Sequence, residues 1–378
     1  MAKIVHWGKH YPPDMGGIES VTCSLAQGAR RQGHSVCVVC FGDTDAEPTI
    51  DDDGVEVIRV RAAAKLASQP LGWRYFRLLL REGRQADIVH LHAPNMLAAL
   101  ASVMLGKRPR LVVHWHSDVI DKGLLGHLLR PLETMLLRRA DRVICTSPPY
   151  FDASQPLKKF SNKVVVIPLG APDRQSTSEE IADQQLPDEL RDRLKGRQLI
   201  LSIGRLVPYK GFEHLIDAAA MLPADTVVVI VGSGPLKPAL DERVAKAGLQ
   251  DRVILAGRLN DQELRALFAR SEIYCMSSVE RSEAFGVVLI EAMSWQIPIV
   301  ATEIPGSGVP WVNNHGESGL NVTPGNSKLI ANALTLILDD KDLQLRLALG
   351  ARQRFEREFI EEIAITRIAN LYESLIRN

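Results

Sequence analysis

Cysteine is scarce in this chain: five residues in 378, an odd number and widely scattered. Such a set builds no disulfide framework and suits a reducing compartment. Cys37 and Cys40 have the C-x-x-C spacing, but they lie in a Val-rich run from Val36 to Phe41 that reads as a buried strand, not as a metal or redox site. Long apolar runs are missing too. Nothing approaches the ~18–20 uninterrupted apolar residues of a membrane span, and the apolar run in Met1–Trp7 is far too short for a signal peptide. Nor is there an excess of charge, with 45 Lys and Arg against 45 Asp and Glu, so nucleic acid is not an expected partner. With 46% hydrophobic residues the chain is too apolar to be disordered. Short repeats and low-complexity tracts are absent. A folded cytoplasmic protein is the expectation.

The length exceeds the ~250–300 residues at which single cores stop growing, so two domains are expected. Strand-like runs at Lys3–Trp7, Ser35–Phe41, Val55–Val60, Ile88–His92, Leu111–Trp115, Arg142–Thr146 and Val164–Ile167 alternate with helical stretches such as Glu19–Gln32 and Pro94–Leu105. A polar segment interrupts the alternation, which restarts at Leu199–Ile203, Thr226–Val231, Arg252–Ala256, Ile273–Met276 and Ile297–Ala301. Each half therefore predicts an α/β, doubly wound, Rossmann-like domain. The expected layout is one domain over 1–170, a linker over 171–196 and a second domain over 197–357, the two facing across a cleft. Asp342–Arg377 reads as one or two amphipathic helices, the last of which, at about 358–378, is expected to pack back on the first domain.

Open α/β sheets bind ligands beyond the C-terminal ends of their strands, so the loops there carry the functional signal. Gly16-Gly17 follows the first strand and precedes a helix, where backbone amides and the helix dipole favour an anion; a plain turn is the alternative. Gly204-Arg205 ends a strand, and Lys210-Gly211 opens the next helix. A guanidinium fork and an ammonium point charge converging there suit a diphosphate, although two solvated cations would look the same in sequence. Gly232-Ser233-Gly234 is a tight loop at the same edge. In the run from Glu280 to Met293, Gly286 is expected to open a helix. Glu283 then lies in the preceding loop beside the Phe285, Gly286 and Val287 amides, and Glu291 lies more than a turn into the helix. Two carboxylates placed so cannot face each other across one bond as a glycosidase pair must. They suit the two ends of one elongated ligand with an anionic middle.

Together Gly204-Arg205, Lys210-Gly211, Gly232-Ser233-Gly234 and Ser282-Glu283-Ala284-Phe285-Gly286 running on to Glu291 resemble the retaining glycosyltransferases of the GT-B fold, family 4, and the likeness covers nearly the whole chain. The resemblance implies that Arg205 and Lys210 bind the donor diphosphate, with Gly204, Gly232 and Gly234 in the surrounding loops. Glu283 and the Phe285, Gly286 and Val287 amides would hold the donor sugar, and Glu291 the nucleotide ribose. Gly16 and Gly17 would lie near the transferred sugar and the phosphate. His116, in Val112-Val113-His114-Trp115-His116-Ser117-Asp118, stands where the family places a histidine touching the donor sugar; His90, His92 and His114 read as structural. Two positions depart from the family: Gln296 stands where a Gly usually precedes Ile297-Pro298, and Asn326 where an acidic residue is common.

The implied chemistry is transfer through an oxocarbenium-like state in which the leaving diphosphate gains charge, stabilised by Arg205, Lys210 and a helix N-terminus. No metal and no cofactor are expected, and Asp51-Asp52-Asp53 reads as a solvated turn. The opening from Val5 to Glu19 and the His-Trp-His-Ser-Asp segment are similar to bacterial rhamnosyl- and mannosyltransferases of surface-polysaccharide assembly, which implies a hexosyltransferase using GDP-mannose or GDP-rhamnose. Nothing in the sequence reads guanine over uracil, so a UDP-sugar stays open. Residues 65–142 carry 13 Lys and Arg against 6 Asp and Glu, and Trp73–Arg81 and Leu124–Arg139 are amphipathic with cationic flanks. Such segments lie on anionic lipid or simply face a core. A polyprenyl-diphosphate-linked glycan acceptor, met at the inner face of the cytoplasmic membrane, is the matching expectation. The rivals are a nucleotide-sugar epimerase, which needs carboxylates poised at the sugar C2, and a non-catalytic sugar-binding protein, which is typically exported.

Overall fold

The computed structural model describes residues 1–14, 16–66, 69–118, 123–174 and 185–377, and side chains there except those of 66 and 123–129. The chain forms two compact units, Met1–Gly170 with Glu361–Asn378, and Ala171–Ile360.

The first unit is built on an eight-stranded sheet. Its strands are β1 (Lys3–Trp7), β2 (Ser35–Gly42), β3 (Thr49–Ile50), β4 (Glu56–Arg61), β7 (Ile88–Ala93), β8 (Arg110–Trp115), β9 (Arg142–Cys145) and β10 (Val164–Val166), while β5 (Ala64–Leu66) and β6 (Gln69–Leu71) form a separate hairpin. The spatial order is β10-β9-β8-β7-β1-β2-β4-β3. All neighbours are parallel except β3, which runs antiparallel to β4. The chain winds outward from β1 through β2 and then crosses back to β7, which makes β1/β7 the switch point, the place where such sheets open a crevice.

The helices of this unit are α1 (Gly17–Arg31), α2 (Trp73–Gln85), α3 (Met96–Met104) and α4 (Gly123–Arg139), with two short ones at Pro148–Ala153 and Gln155–Lys158. In α2 the residues Tyr75, Phe76, Leu78, Leu79 and Leu80 are all buried. Its apolar face is therefore a core face of its own unit, and the lipid-lying alternative does not apply to that face. Leu124–Arg139 falls largely in α4, where side chains 123–129 lie outside the described residues. The last helix, Glu361–Ile376, belongs to this unit and packs on α1.

Cys37 and Cys40 are both buried in β2. Three positions apart on a strand, they point to opposite faces and cannot share a ligand. Asp51-Asp52-Asp53 is a turn as expected, with Asp52 and Asp53 exposed, but the half-buried Asp51 carboxylate is engaged. It accepts from Tyr11 Oη at 2.8 Å and from the backbone N–H of Val55 at 2.8 Å, which anchors the loop after β1.

The second unit has a six-stranded, wholly parallel sheet of β11 (Gln198–Ile203), β12 (Thr226–Val231), β13 (Val253–Gly257), β14 (Ile273–Met276), β15 (Ile299–Thr302) and β16 (Gly319–Val322), in the order β13-β12-β11-β14-β15-β16. Every residue of β12, Thr-Val-Val-Val-Ile-Val, is buried, as expected of a central parallel strand covered on both faces. Its switch point is β11/β14. The predicted linker is shorter than 171–196: a helix at Asp188–Leu194 buries Leu190 and Leu194, so part of the polar segment already belongs to this unit.

Candidate functional site

In the second unit the loops after β11 and β14 are stitched together. Pro208–Lys210 forms a 3-10 turn. The backbone N–H of Val279 donates to Tyr209 O at 2.8 Å, and Ser277 Oγ donates to Lys210 O at 3.0 Å. Gly211 completes the turn with φ +60, and a Cβ there would run into the Ser277 carbonyl oxygen. These contacts deliver Lys210 to Glu283, with Nζ to Oε2 at 2.5 Å and both side chains 11% exposed. Ser278 Oγ donates to the same carboxylate oxygen at 3.0 Å. Burial disfavours the Lys210 ammonium, but the Glu283 carboxylate more than offsets it, and the net pKa shift is upward. Sequence reasoning gave Lys210 and Glu283 separate tasks; the fold makes them partners. It also missed Ser278, whose only sequence signal was a hydroxyl just beyond a strand end.

The Glu283 loop is clamped from the other side. Ser307 Oγ donates to Glu283 O, Arg281 Nε to Gly306 O at 2.8 Å, and Gly308 N–H to Ala284 O at 2.8 Å. Gly286 caps the helix Val287–Ser294 as expected. The first amides of a helix have no intrahelical acceptor; Gly286 and Val287 stand at that end, and Phe285 lies just before the cap, where the Glu283 loop arrives. Glu291 is partly exposed, and burial pushes its carboxyl up to about 7, with Arg174 pulling down and Asp261 pushing further up. Arg205 is exposed at the end of β11, and among the described residues no carboxylate pairs with it.

The glycines of these loops serve the packing of the backbone. The Gly204 amide donates to Val231 O at 2.9 Å and the Gly232 amide to Gly257 O at 2.7 Å, so both amides are committed to the sheet. Gly232 adopts φ +142, and a Cβ on it would strike the Gly204 carbonyl; one on Gly234 would strike Leu206 O. These two glycines let the β12 loop lie on the β11 loop.

The two departures from the family pattern have physical readings. Gln296 has φ +59 and is the residue after the cap of helix Val287–Ser294. Its N–H donates to Met293 O and that of Ile297 to Ala292 O, the Schellman closure that favours Gly at this position. Asn326 caps the helix Ser327–Asp339, accepting from the Leu329 N–H at 3.0 Å, a task Asn and Asp perform equally well.

In the first unit, Gly16 and Gly17 open α1, as expected. The Glu19 carboxylate folds back over that end, where a Cβ on Gly16 would meet it. It already answers the helix dipole, and a phosphate arriving there would meet a like charge. On the sheet, parallel register sets His6 beside His90 and His92 beside His114. With His116 they form a buried row of five imidazoles, the His114 and His116 rings stacked at 4.3 Å. Burial drives the pKa values of His6 and His116 down to about 3 and those of His90, His92 and His114 well below the usual value, so every ring is neutral. His116 closes the row beyond β8, 7% exposed, with Nε2 at 3.0 Å from His92 Nδ1.

Comparison with solved structures defines the class. The chain matches Anabaena Alr3699/HepE in complex with UDP and glucose at a TM-score of 0.80, over 99% of this chain and 100% of that one, with 21% identity. It matches WaaG, a glycosyltransferase involved in lipopolysaccharide biosynthesis, at 0.73 over 98% and 99%, with 19% identity. The fold is the GT-B glycosyltransferase fold. Sequence then supplies the family. Residues 16–170 match the "Glycosyl transferase 4-like domain" profile and residues 188–354 the "Glycosyl transferases group 1" profile. The O-antigen chain mannosyltransferase C of Escherichia coli is 31% identical over 382 residues, covering 100% of this chain and 99% of that protein. D-rhamnosyltransferase WbpZ of Pseudomonas aeruginosa is 31% identical over 358 residues, covering 94% and 92%. The chain belongs to the group 1, family 4 glycosyltransferases and is a transferase. Among the described residues no helix is long and apolar enough to cross a membrane.

Proposed function

We propose that the protein is a retaining hexosyltransferase that moves mannose or rhamnose from a GDP-sugar to a lipid-linked glycan in O-antigen or related surface-polysaccharide assembly. The observation that carries this reading is the Lys210–Glu283 pair at the β11/β14 switch point, and the names of the 31% identical relatives support the choice of sugar. An ammonium has three donors, so Lys210 holds Glu283 and a phosphate oxygen at once. Arg205 supplies the second cation, free to fork onto the diphosphate. Glu283 and the first amides of helix Val287–Ser294 take the sugar hydroxyls, and Glu291 takes the ribose. As the bond to the diphosphate breaks, charge grows between the two cations, which bind the leaving group more strongly than the intact donor. The diphosphate is neutralised by side chains, without a metal ion, and the leaving phosphate takes the acceptor proton on the same face.

The acceptor in this reading is a polyprenyl-diphosphate-linked glycan at the inner face of the cytoplasmic membrane. Contact with anionic lipid falls to the exposed Trp73, Arg77 and Arg84 rather than to the buried face of α2. Co-sedimentation with anionic liposomes at low salt tests this part, and failure to bind them removes it.

The donor test is thermal unfolding with a panel of GDP- and UDP-sugars, since a ligand at ~100 times its Kd adds ~2.7 kcal/mol. Protection by GDP-mannose or GDP-rhamnose is expected. Protection by UDP-sugars alone corrects the donor, and protection by none overturns the assignment. Nucleoside diphosphate released only when acceptor is present excludes an epimerase.

A further inference from the structure

Three rings of the histidine row, His6, His92 and His116, form a chain of hydrogen bonds that is sealed at the His6 end. His6 Nδ1 lies 3.1 Å from His92 Nε2, and His92 Nδ1 lies 3.0 Å from His116 Nε2. At the inner end His6 Nε2 is buried and has no partner among the described residues. The ligating nitrogens of His90, His92 and His114 lie within 4.8 Å of one another, a grouping that a metal ion could use. Both nitrogens of His92, and both of His90, are however already engaged, the latter by Tyr372 Oη and His114 Nδ1. The row is a hydrogen-bond chain first.

A neutral imidazole carries one N–H, so a chain of three rings has only two proton arrangements. In the first, His6 Nδ1–H donates to His92 Nε2, His92 Nδ1–H donates to His116 Nε2, and His116 keeps its own proton on Nδ1. In the second every proton is on the other nitrogen, and His6 holds a buried N–H on Nε2 that no described residue accepts. A buried donor without an acceptor costs ~1–3 kcal/mol, and orphaned N–H groups are rarer in proteins than under-used acceptors. The sealed end therefore selects the first arrangement.

We propose that His92 and His6 are positioning residues that hold His116 in its Nδ1–H form, so that His116 offers its ligand a hydrogen-bond donor and not a base. Burial supports this by keeping all three rings neutral. The inference rests on the glycosyl-transfer reading only for what the N–H meets, a sugar oxygen. The proton's place on the ring is independent of it.

The test is long-range proton–nitrogen NMR on the full-length, ligand-free chain, which distinguishes the two neutral tautomers, followed by two variants. An Asn side chain places its amide near the Nδ1 position of histidine and a Gln near Nε2. His92→Asn therefore keeps the bond to His116, whereas His92→Gln keeps only the bond to His6. The expected result is Nδ1–H at His116 in the natural chain and in His92→Asn, lost in His92→Gln. With it, kcat falls about tenfold, the effect of ~1.4 kcal/mol, in His92→Gln alone, at unchanged donor KM. Nε2–H at His116 in the natural chain overturns the proposal. Equal kcat in two folded variants overturns the positioning role. Because the spectrum needs no substrate, failure of the glycosyl-transfer reading would appear as missing turnover with the tautomer intact.

Discussion

Lys210 and Glu283 lie 73 positions apart in sequence and 2.5 Å apart in space, on the two loops that flank the β11/β14 switch point. Neither loop holds its residue alone. The 3-10 turn that ends in Lys210 is fixed by Val279 and Ser277 from the partner loop, and the Glu283 loop by Ser307, Arg281 and Gly308. The ion pair is thus the outcome of two crossovers of the same sheet, and it has consequences for both stability and activity.

Removing one member of this pair leaves a buried charge without its partner, which costs ~3–5 kcal/mol. Lys210→Met and Glu283→Ala should each lower the urea-unfolding free energy on that scale, while the double variant should lose much less than their sum. Glu283→Ala should also abolish sugar transfer in preparations that remain folded. Additive losses in the cycle would show that the two charges do not depend on each other.

Glu291 carries a pH signature. Its carboxyl is raised from 4.5 to about 7 by burial. A raised pKa means the folded state holds the proton more tightly than the unfolded chain does. The protonated group's contribution is therefore complete below 4.5 and is lost as pH rises to about 7, by ~3 kcal/mol at most because the side chain keeps some solvent contact. Glu291→Gln, which stays neutral, should gain stability relative to the natural chain between pH 4.5 and 7, and the difference should level off above that. A flat difference across this range would place the carboxyl in ordinary solvent.

Gln296 is strained where the family has glycine. A non-glycine residue in the left-handed region costs ~1 kcal/mol or more, offset in part by the greater unfolded-state entropy of glycine. Gln296→Gly should therefore raise the melting temperature by a few degrees and leave turnover unchanged. A lower melting temperature would mean that the side chain contributes more than the strain costs.

Gly232 and Gly248 both have positive φ, 142 and 66 degrees, but only the first is crowded, by the Gly204 carbonyl. Gly248→Ala should cost only the backbone strain of ~1 kcal/mol. Gly232→Ala must also push apart the β11 and β12 loops, so it should cost several times as much and weaken nucleotide-sugar binding. Equal losses in denaturant would show that crowding at Gly232 relaxes freely.

The sequence by itself determined the elements. Eleven of the twelve expected strands begin and end within one residue of the apolar runs, as Lys3–Trp7 and Thr226–Val231 show, because a parallel strand covered on both faces must be apolar along its length. The helix after Gly286 was equally legible, from a glycine before an apolar run. β16 was not: Gly-Leu-Asn-Val is too short and too mixed to stand out. The Lys210–Glu283 pair, the glycines that let two loops pack backbone to backbone, and the histidine row belong to tertiary structure alone. Each depends on which strands become neighbours, and local propensity is blind to strand order. His6, His92 and His116 sit on three different segments, and only the β1/β7/β8 register makes one hydrogen-bonded line of them.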